Sequence, residues 1–545
     1  MEKFRLIGLI VILIFIANIG LGQVAQDYLK STDQQQLRAL STKFEREYFN
    51  EKADAVEVAN VLGLPVKYET EGSHNIELQG FDDSGMLLYY STENLIAAQT
   101  VSTDQVWSGG NLGLNLSGNN YTVGQWDGGA IYKSHQDLTG RVTQQDGAAL
   151  TTGHGTHVAG TMIGAGNNSQ AKGMAHQASL DAYDFNNDEF EMANAAGGGL
   201  LISNHSYGSI AGWMYNNGSK SRWEWWGNIY IDAEEDWRFG YYSSASKNWD
   251  QIAANAPHYL IVKAAGNDRN DNHTGSHYVR DSTHTWVQSS ASRDKDGDYD
   301  CITPKGVAKN ILTVGAVSNI SGGYSSPSDV QMTSFSGWGP TDDGRIKPDI
   351  VANGTGLTSC GTGSSSDYTT MTGTSMSSPN ATGSLTLLQA HYYNLYFRHM
   401  ESATLKGLVI HTADEAGNNP GPDYKHGWGL LNTSKAAEHI SNGSGDRFIL
   451  ERTLANKDTF TFTVYSDGNQ PLRATTSWTD VPGTPPSPSL NPSNLMLEND
   501  LDLRIINDST GNVNQPYVLN PANPASGASK GDNFRDNVEK VNVAN

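Results

Sequence analysis

Cysteine is almost absent from the sequence, which contains only Cys301 and Cys360 among its 545 residues. So few cysteines exclude a disulfide-rich scaffold, and a hydrophobic core must therefore hold the fold together. Basic residues are also scarce, because 36 Lys and Arg oppose 58 Asp and Glu and leave a net charge of −22. A nucleic-acid partner requires a basic face that contacts phosphates, so this charge balance disfavours one.

Long hydrophobic runs are missing beyond the N-terminus, so no later segment is expected to cross a membrane. The single apolar run extends from Leu6 to Ile19, follows Lys3 and Arg5, and precedes small residues. This order is typical of a secretory signal peptide, which we predict over residues 1–22. A membrane anchor is the alternative, but the run is shorter than the roughly 20 apolar residues that a span requires. We expect a secreted, extracellular protein without membrane contact after signal cleavage.

Three regions of different composition follow the predicted signal peptide. Residues 23–105 combine helically spaced apolar residues with short strand patterns, which predicts a small α+β unit. Residues 106–440 alternate apolar strands with small-residue helices, which predicts an α/β domain with a parallel sheet and helices on both faces. Residues 445–545 contain alternating strand patterns such as FILERTL and TFTFTVYS, which predict a β-sandwich that we expect to be truncated.

Three motifs of the central region carry side chains that could act together. VGQWDGG places Asp127 at a strand end, GHGTHVAGT places His154 at a helix start, and TGTSMSSPNATGS places Ser375 at another helix start. A serine hydroxyl needs a base to become a nucleophile, and the base needs a third group that fixes its tautomer. Ser375 by itself would be an ordinary helix cap, but the three motifs together predict nucleophilic catalysis.

The order Asp, His, Ser along the chain, with HGTHVAGT and GTSMSSP, resembles the subtilisin-like serine peptidases, or subtilases. The resemblance covers residues 106–440 and implies a catalytic triad of Asp127, His154 and Ser375. It further implies a secreted serine endopeptidase of the extracellular bacterial type with a C-terminal β-sandwich. A non-catalytic binding protein on the same scaffold is the alternative, and a processing protease for a few partner proteins is a third hypothesis.

The resemblance also assigns the residues around the triad. It implies that His154 is the base and that His157 is structural. A zinc site at the two histidines is the alternative, but a helical zinc pair would have the form HExxH, and Gly155 and Thr156 stand between the histidines here. Asp137 is the main rival of Asp127. Subtilases usually have Ser or Thr after this Asp, whereas this chain has Gly128, so a contact that helps to position Asp127 is expected to be missing.

Two further segments are implied to bind substrate. HYLIVKAAGND resembles the strand before the oxyanion asparagine, so Asn267 is the implied donor beside the Ser375 N–H; a turn Asn is the alternative. ISNHSYGS resembles a strand that pairs with an extended peptide. The implied substrate-binding residues are Ser206, Tyr207, Gly208, Ala264, Ala265 and Gly266. We expect a monomer that acts on peptides or proteins. No acidic residue is clearly placed at the bottom of the pocket that residues 263–266 line, so strict specificity for basic side chains is not predicted.

An aromatic insert separates these two segments. Residues 209–250 contain six of the twelve Trp residues, and the insert should therefore border the cleft as a lid or pack on itself. We favour self-packing. The resemblance implies that residues 23–105 are a propeptide that blocks the cleft, with a permanent N-terminal module as the alternative.

An acidic run and the two cysteines complete the sequence-based predictions. RDKDGDYD predicts a structural calcium site or, alternatively, a solvated acidic turn, and its carboxylates are Asp294, Asp296, Asp298 and Asp300. No cofactor is expected for catalysis. Cys301 and Cys360 fall in loops near the functional end of the sheet in the implied layout, where they form a disulfide or stay as buried thiols.

Overall fold

The structure is a computed structural model that describes residues 28–69, 75–92, 98–216, 220–294, 298–443 and 446–544. The predicted signal peptide of residues 1–22 lies outside these ranges. The α-helices of the described ranges are α1 Gln34–Val61, α2 Gly153–Ile163, α3 Asp188–Gly197, α4 Ser244–Asn255, α5 Thr374–Tyr396, α6 Ser402–Thr412 and α7 Thr433–Ser441. None of these helices is both long enough and apolar enough to span a membrane. Short 3-10 helices occur at Tyr28–Ser31, Thr103–Val106, Ser169–Ala171, Pro304–Val307 and Pro327–Asp329.

The strands fall into an N-terminal, a central and a C-terminal group. The N-terminal strands are β1 Lys67–Glu69, β2 Asn75–Phe81 and β3 Leu87–Thr92. The central strands are β4 Thr122–Asp127, β5 Val142–Gln144, β6 Ser179–Asp184, β7 Ile202–His205, β8 Tyr207–Ser209, β9 Trp213–Asn216, β10 Arg222–Trp225, β11 Leu260–Ala264, β12 His277–Arg280, β13 Trp286–Ser289, β14 Leu312–Val317, β15 Ile350–Asn353, β16 Leu357–Cys360 and β17 Tyr368–Met371. The C-terminal strands are β18 Leu472–Ser477, β19 Ile505–Ile506, β20 Val513–Asn514, β21 Tyr517–Val518, β22 Ser529–Lys530 and β23 Val538–Val543.

A seven-stranded sheet with the order β15-β14-β11-β7-β4-β6-β5 lies at the centre of the molecule. Every neighbouring pair in it is parallel. Adjacent residues of a strand point to opposite faces, and Val262 packs in the core that contains α2 and α5 whereas Ile261 packs in the core that contains α3 and α4. The predicted parallel sheet with helices on both faces is therefore confirmed.

The N-terminal unit is joined to the central region through a shared sheet. Its strands form the order β1-β2-β3-β8, so β3 pairs antiparallel with a strand of the segment that was predicted to bind substrate. The helix α1 buries Leu37, Leu40 and Phe44 in the same cluster as Met192 and Ala193 of α3. The unit thus combines a helix and strands, as expected, and packs on the central region at two places.

Strands β9 and β10 of the aromatic insert form a small sheet together with β12 and β13, which follow the insert in the chain, in the order β13-β12-β10-β9. Trp213 and Trp225 pack against each other and against Val279 of β12, so the insert packs partly on itself and partly on a later strand. Trp226, in contrast, shares a core with Ala55 of α1 and with strands of the N-terminal unit. The insert therefore also supports the N-terminal unit.

The C-terminal region contains antiparallel strand pairs, β18 with β23, β19 with β20, and β21 with β22, which are compatible with a β-sandwich. The strands predicted from FILERTL and TFTFTVYS are wrong, because residues 447–465 form no strand in the structure. Phe460 and Phe462 are exposed there, and Tyr465 is 97% exposed. An alternating pattern produces a strand only where a neighbouring strand pairs with it.

Candidate active site

Asp127 and His154 meet at the carboxyl end of the central sheet. Asp127 is the last residue of β4, and His154 lies in the first turn of α2. His154 Nδ1 lies 2.6 Å from Asp127 Oδ1, and both side chains are buried. The rival Asp137 binds Asn167 and Tyr368 instead. The structure therefore brings together the aspartate and histidine that the motifs predicted.

The carboxylate of Asp127 is held from one side only. Its Oδ1 also accepts a hydrogen bond from Gly128 N at 2.8 Å. Its Oδ2 is buried, and no residue of the described chain donates a hydrogen bond to it. A buried acceptor without a donor loses the stabilisation that a hydrogen bond would give.

His157 is a core residue. Its ring is buried, and burial, followed by repulsion from His154, lowers the pKa of His157 to about 3, so the ring is neutral at physiological pH. Groups of three possible metal ligands among the described residues lie elsewhere and consist of His135, Asp137 and Cys360, and of Asp502, Asp532 and Glu539. Neither group contains His154 or His157.

Ser375 lies at the start of α5 and is tied to the segment after β7. Ser375 Oγ donates a hydrogen bond to Ser206 O at 3.1 Å, and Ser206 Oγ donates one to Ser375 O at 2.9 Å. Below them, Asn204 Nδ2 donates to Ser206 Oγ at 2.9 Å, and Asn204 Oδ1 accepts from Ser378 Oγ at 2.7 Å. These buried contacts fix the first turn of α5 against the segment that carries Ser206.

Asn267 follows β11 and is oriented by the residue before Ser375. Its Oδ1 accepts hydrogen bonds from Thr374 N at 2.7 Å and from Thr374 Oγ1 at 3.0 Å. A main-chain N–H can pair only with the oxygen of the carboxamide, so this contact assigns the orientation of the side chain. The amide nitrogen consequently points away from Thr374 and can donate, as an oxyanion site requires.

The residues predicted to bind substrate lie on two neighbouring segments. Gly266 N donates to Thr374 Oγ1 at 3.1 Å, so the segment Ala264–Gly266 adjoins the start of α5, as does Ser206. The Tyr207 side chain is turned into the core, where its hydroxyl donates to Asp188 Oδ2 at 2.5 Å. Gly208 pairs with Ser91 of β3. The edge of β8 is thus covered by the N-terminal unit.

Two functional contacts were missed from the sequence. Thr374, which orients Asn267, could have been suspected from its position directly before Ser375 in GTSM. Asn204, which ties Ser206 to α5, carries no local signal, because its partners on α5, Ser378 and Thr382, lie 174 and 178 residues away in the chain.

The carboxylates of the acidic run RDKDGDYD lie in different surroundings. Asp296 lies outside the described residues, and Asp294 and Asp298 are exposed. Asp300 turns inward, and a Cβ built on Gly240 would lie 2.1 Å from Asp300 Oδ1 and 2.5 Å from Asp342 Oδ1. No described residue donates to either of these buried oxygens. Burial is the main cause that raises the pKa of both carboxyl groups.

Of the two alternatives left open for Cys301 and Cys360, the structure has two buried thiols and no disulfide between them. Cys301 Sγ accepts a hydrogen bond from Trp338 N at 3.2 Å. Cys360 lies under α2, where a Cβ built on Gly160 would be 2.7 Å from its sulfur. The two cysteines belong to different hydrophobic clusters, so their sulfurs cannot bond without rearrangement of the core.

Comparison with known proteins is consistent with these motifs. Serine protease AprX of Bacillus subtilis (strain 168) is 28% identical over 303 residues, which are 51% of this chain and 58% of AprX. The Serine protease/ABC transporter B family protein tagB of Dictyostelium discoideum is 25% identical over 348 residues, 52% of this chain and 18% of that protein. C5a peptidase of Streptococcus pyogenes is 42% identical over 69 residues, 13% of this chain and 6% of that protein.

The chain spans less than two thirds of the length of these curated relatives. Among solved structures, a mutant of the protease domain of PatA aligns with 60% of this chain and 98% of its own length, with a TM-score of 0.42 and 19% identity. The model of the subtilase family matches residues 82–429, which are well over half of the chain. The protein therefore belongs to the subtilase family of serine peptidases.

Proposed function

We propose that the protein is a secreted serine endopeptidase in which Asp127, His154 and Ser375 form the catalytic triad. The observation that carries the proposal is the buried contact of 2.6 Å between His154 Nδ1 and Asp127 Oδ1. A carboxylate that accepts the Nδ1–H of an imidazole leaves Nε2 as the basic nitrogen. Family membership and the position of Ser375 at a helix start support the same assignment.

The proposed reaction has two half-reactions. Ser375 Oγ attacks the scissile carbonyl carbon and passes its proton to His154 Nε2, while Asp127 stabilises the imidazolium. The carbonyl oxygen becomes an oxyanion, which accepts hydrogen bonds from Ser375 N and Asn267 Nδ2. Cleavage of the C–N bond takes the proton from His154 to the leaving amine. Water then attacks the acyl-enzyme with the same base and oxyanion donors and releases the carboxylic acid.

The substrate backbone is proposed to pair with the edge of β8. The antiparallel pairing of β3 with this edge supports the idea, because it is the pairing that an extended peptide would make. We accordingly propose that the N-terminal unit is a propeptide that must leave before substrate binds. Arg280 Nη1, which donates to Leu87 O at 2.6 Å, belongs to the contacts that hold it.

A structural calcium ion remains part of the proposal, at a position adjusted to the structure. The buried oxygens of Asp300 and Asp342 point at the same place beside Gly240 and lack donors among the described residues, as suits a hard cation. Chelation with EGTA should then lower the melting temperature, and Asp300→Asn with Asp342→Asn should remove the difference. Equal melting temperatures of the wild type with and without calcium would contradict this proposal.

The catalytic proposal is tested by labelling the matured protein, from which only the N-terminal unit has been removed, with a fluorophosphonate probe. We expect the wild type to be labelled and Ser375→Ala not to be, with both proteins folded by circular dichroism. A folded and matured wild type that is neither labelled nor active on peptides would overturn the proposal and favour a binding protein on a subtilase scaffold. A monomer in solution and secretion through residues 1–22 belong to the same proposal and are checked by light scattering and N-terminal sequencing.

A further inference from the structure

A buried lysine lies against both segments that are proposed to bind substrate. Lys263 is the penultimate residue of β11 and is only 2% exposed. Its Nζ donates a hydrogen bond to Ala264 O at 2.7 Å. The same Nζ lies 3.6 Å from the position that a Cβ on Gly208 would take. The ammonium group is therefore placed between the two segments.

Both of these segments adjoin the proposed nucleophile. Ser206, two residues before Gly208, exchanges hydrogen bonds with Ser375, and Gly266 binds Thr374 on the other side. If a peptide pairs with the edge of β8 as proposed and its carbonyl carbon reaches Ser375 Oγ, we expect the adjoining side chain to lie between these two segments. Thr303 Oγ1 lies 3.4 Å from the same Cβ position on Gly208, so the hydroxyl of Thr303 and the ammonium group of Lys263 face Gly208 together.

The charge of Lys263 has little compensation. The neighbouring Lys305 forms an ion pair with Asp188, whereas no carboxylate of the described residues lies within salt-bridge distance of Lys263. Burial, with repulsion from Lys305, lowers the pKa of Lys263 to about 7, and attraction by Asp268 opposes this shift only in part. A lysine has three N–H donors, and Ala264 O accepts only one of them. Lys263 can therefore donate to a ligand.

We propose that Lys263 makes the enzyme selective for an acidic side chain, Asp or Glu, on the residue that supplies the scissile carbonyl. This inference rests on the proposed function. A substrate carboxylate would pair with the ammonium in a site shielded from water, where such hydrogen bonds are strong. A Lys or Arg side chain would meet a like charge and be rejected.

The test uses matched peptides that differ only in Glu or Gln before the scissile bond. For the matured wild type, we expect kcat/KM to be about 10- to 100-fold higher with Glu than with Gln. Lys263→Met keeps the length and packing of the side chain but removes its charge, so it should abolish the preference while Gln and Leu peptides are still cleaved.

The outcomes separate the two proposals. A wild type that is labelled by fluorophosphonate but prefers Gln or Leu over Glu would overturn the role of Lys263 and leave the peptidase function intact. Absence of both labelling and hydrolysis would instead remove the function itself. If Lys263→Met does not fold, the ratio of Glu to Gln cleavage by the wild type decides alone.

Maturation offers a second readout. Glu93 is the residue that follows β3 in the sequence and is the first acidic residue there. Acidic selectivity predicts self-cleavage after Glu93, so that the mature chain begins at Asn94 and Ser375→Ala stays uncleaved. Self-cleavage after an apolar residue of the same segment would contradict the inference.

Discussion

Among the single residues of the candidate site, Asp127 and Asn267 are each oriented by a neighbour that takes no part in the proposed chemistry. Gly128 N and the buried position at the end of β4 hold Asp127, and Thr374 turns the amide of Asn267. Such contacts matter because a donor that is already aimed at the developing oxyanion needs no reorganisation during the reaction. The effect of a substitution should therefore depend on whether it removes a reacting group or only its orienting partner.

Asn267→Ala should lower kcat by about 10²–10³ and change KM little, because the amide is proposed to act on the oxyanion and not on bound substrate. Thr374→Val keeps the main-chain N–H but loses the hydroxyl contact, so it should give a smaller decrease. Steady-state kinetics on one chromogenic peptide measure both. An unchanged kcat in Asn267→Ala would remove this residue from the mechanism.

The buried contact between Glu191 and Trp126 of β4 predicts how the stability of the protein changes with pH. Its Oε2 accepts a hydrogen bond from Trp126 Nε1 at 2.9 Å, and burial, reinforced by repulsion from Asp146, raises its pKa from 4.5 to about 9. Between these two values the unfolded chain has lost the proton that the folded protein retains, so stability declines as pH rises. Glu191→Gln keeps an acceptor and removes the ionisation.

The melting temperature of Glu191→Gln should therefore fall less than that of the wild type between about pH 5 and pH 8.5. Both proteins are compared in the Ser375→Ala background, which prevents self-digestion, and calorimetry records the curves. Parallel curves for the two proteins would show that Glu191 does not retain its proton.

At the scale of secondary structure elements, the N-terminal unit is held by side-chain packing as well as by the pairing of β3 with β8. The helix α1 lies on α3, and its apolar face shares one core with the central sheet. Ion pairs on the exposed face of α1 contribute less to the stability of this packing, because salt bridges in contact with water are worth little. Packing of α1 should therefore decide how firmly the unit covers the edge of β8.

Two phenylalanines of α1 form a matched pair for this test. Phe44 is 2% exposed and packs near Met192, whereas Phe49 is 59% exposed. Phe44→Ala should destabilise the intact chain by about 3–5 kcal/mol. Phe49→Ala should remain within about 0.5 kcal/mol of the wild type. Urea unfolding in the Ser375→Ala background measures both, and equal effects would contradict the docking seen in the structure.

For the whole molecule, buried polar contacts connect the C-terminal region to the central one. Lys309 is fully buried and pairs with Asp480, and its Nζ also donates to Val481 O at 2.6 Å. Asn310 Nδ2 donates to Asp480 O at 2.7 Å. A buried charge that lost such partners would be costly. These contacts, rather than a covalent link between distant segments, hold the C-terminal region in place.

Stability should accordingly be independent of thiol redox state. Both thiols are buried and neither is part of a disulfide, so alkylation without reductant should modify Cys301 and Cys360 only after denaturation. The melting temperature should be the same with and without dithiothreitol. A peptide that links the two cysteines, found by mass spectrometry of the non-reduced protein, would contradict the structure.

Much of the site could be predicted from local sequence. Asp127 at a strand end and His154 and Ser375 at helix starts follow from short motifs, because apolar periodicity and small residues determine the elements within a few residues. The alternation of strands and helices predicted the parallel sheet in the same way. The pattern failed at residues 447–465, where the strand-like alternation finds no neighbouring strand.

The sequence by itself determined which residues are proposed as nucleophile, base and orienting acid, and on which element each one lies. Only the tertiary structure decided that Asp127 and not Asp137 binds His154, that the two thiols stay apart, and that Lys263 reaches the space between Gly208 and Ala264. These outcomes depend on sheet order and on side-chain direction across more than one strand, and local periodicity contains no information on either.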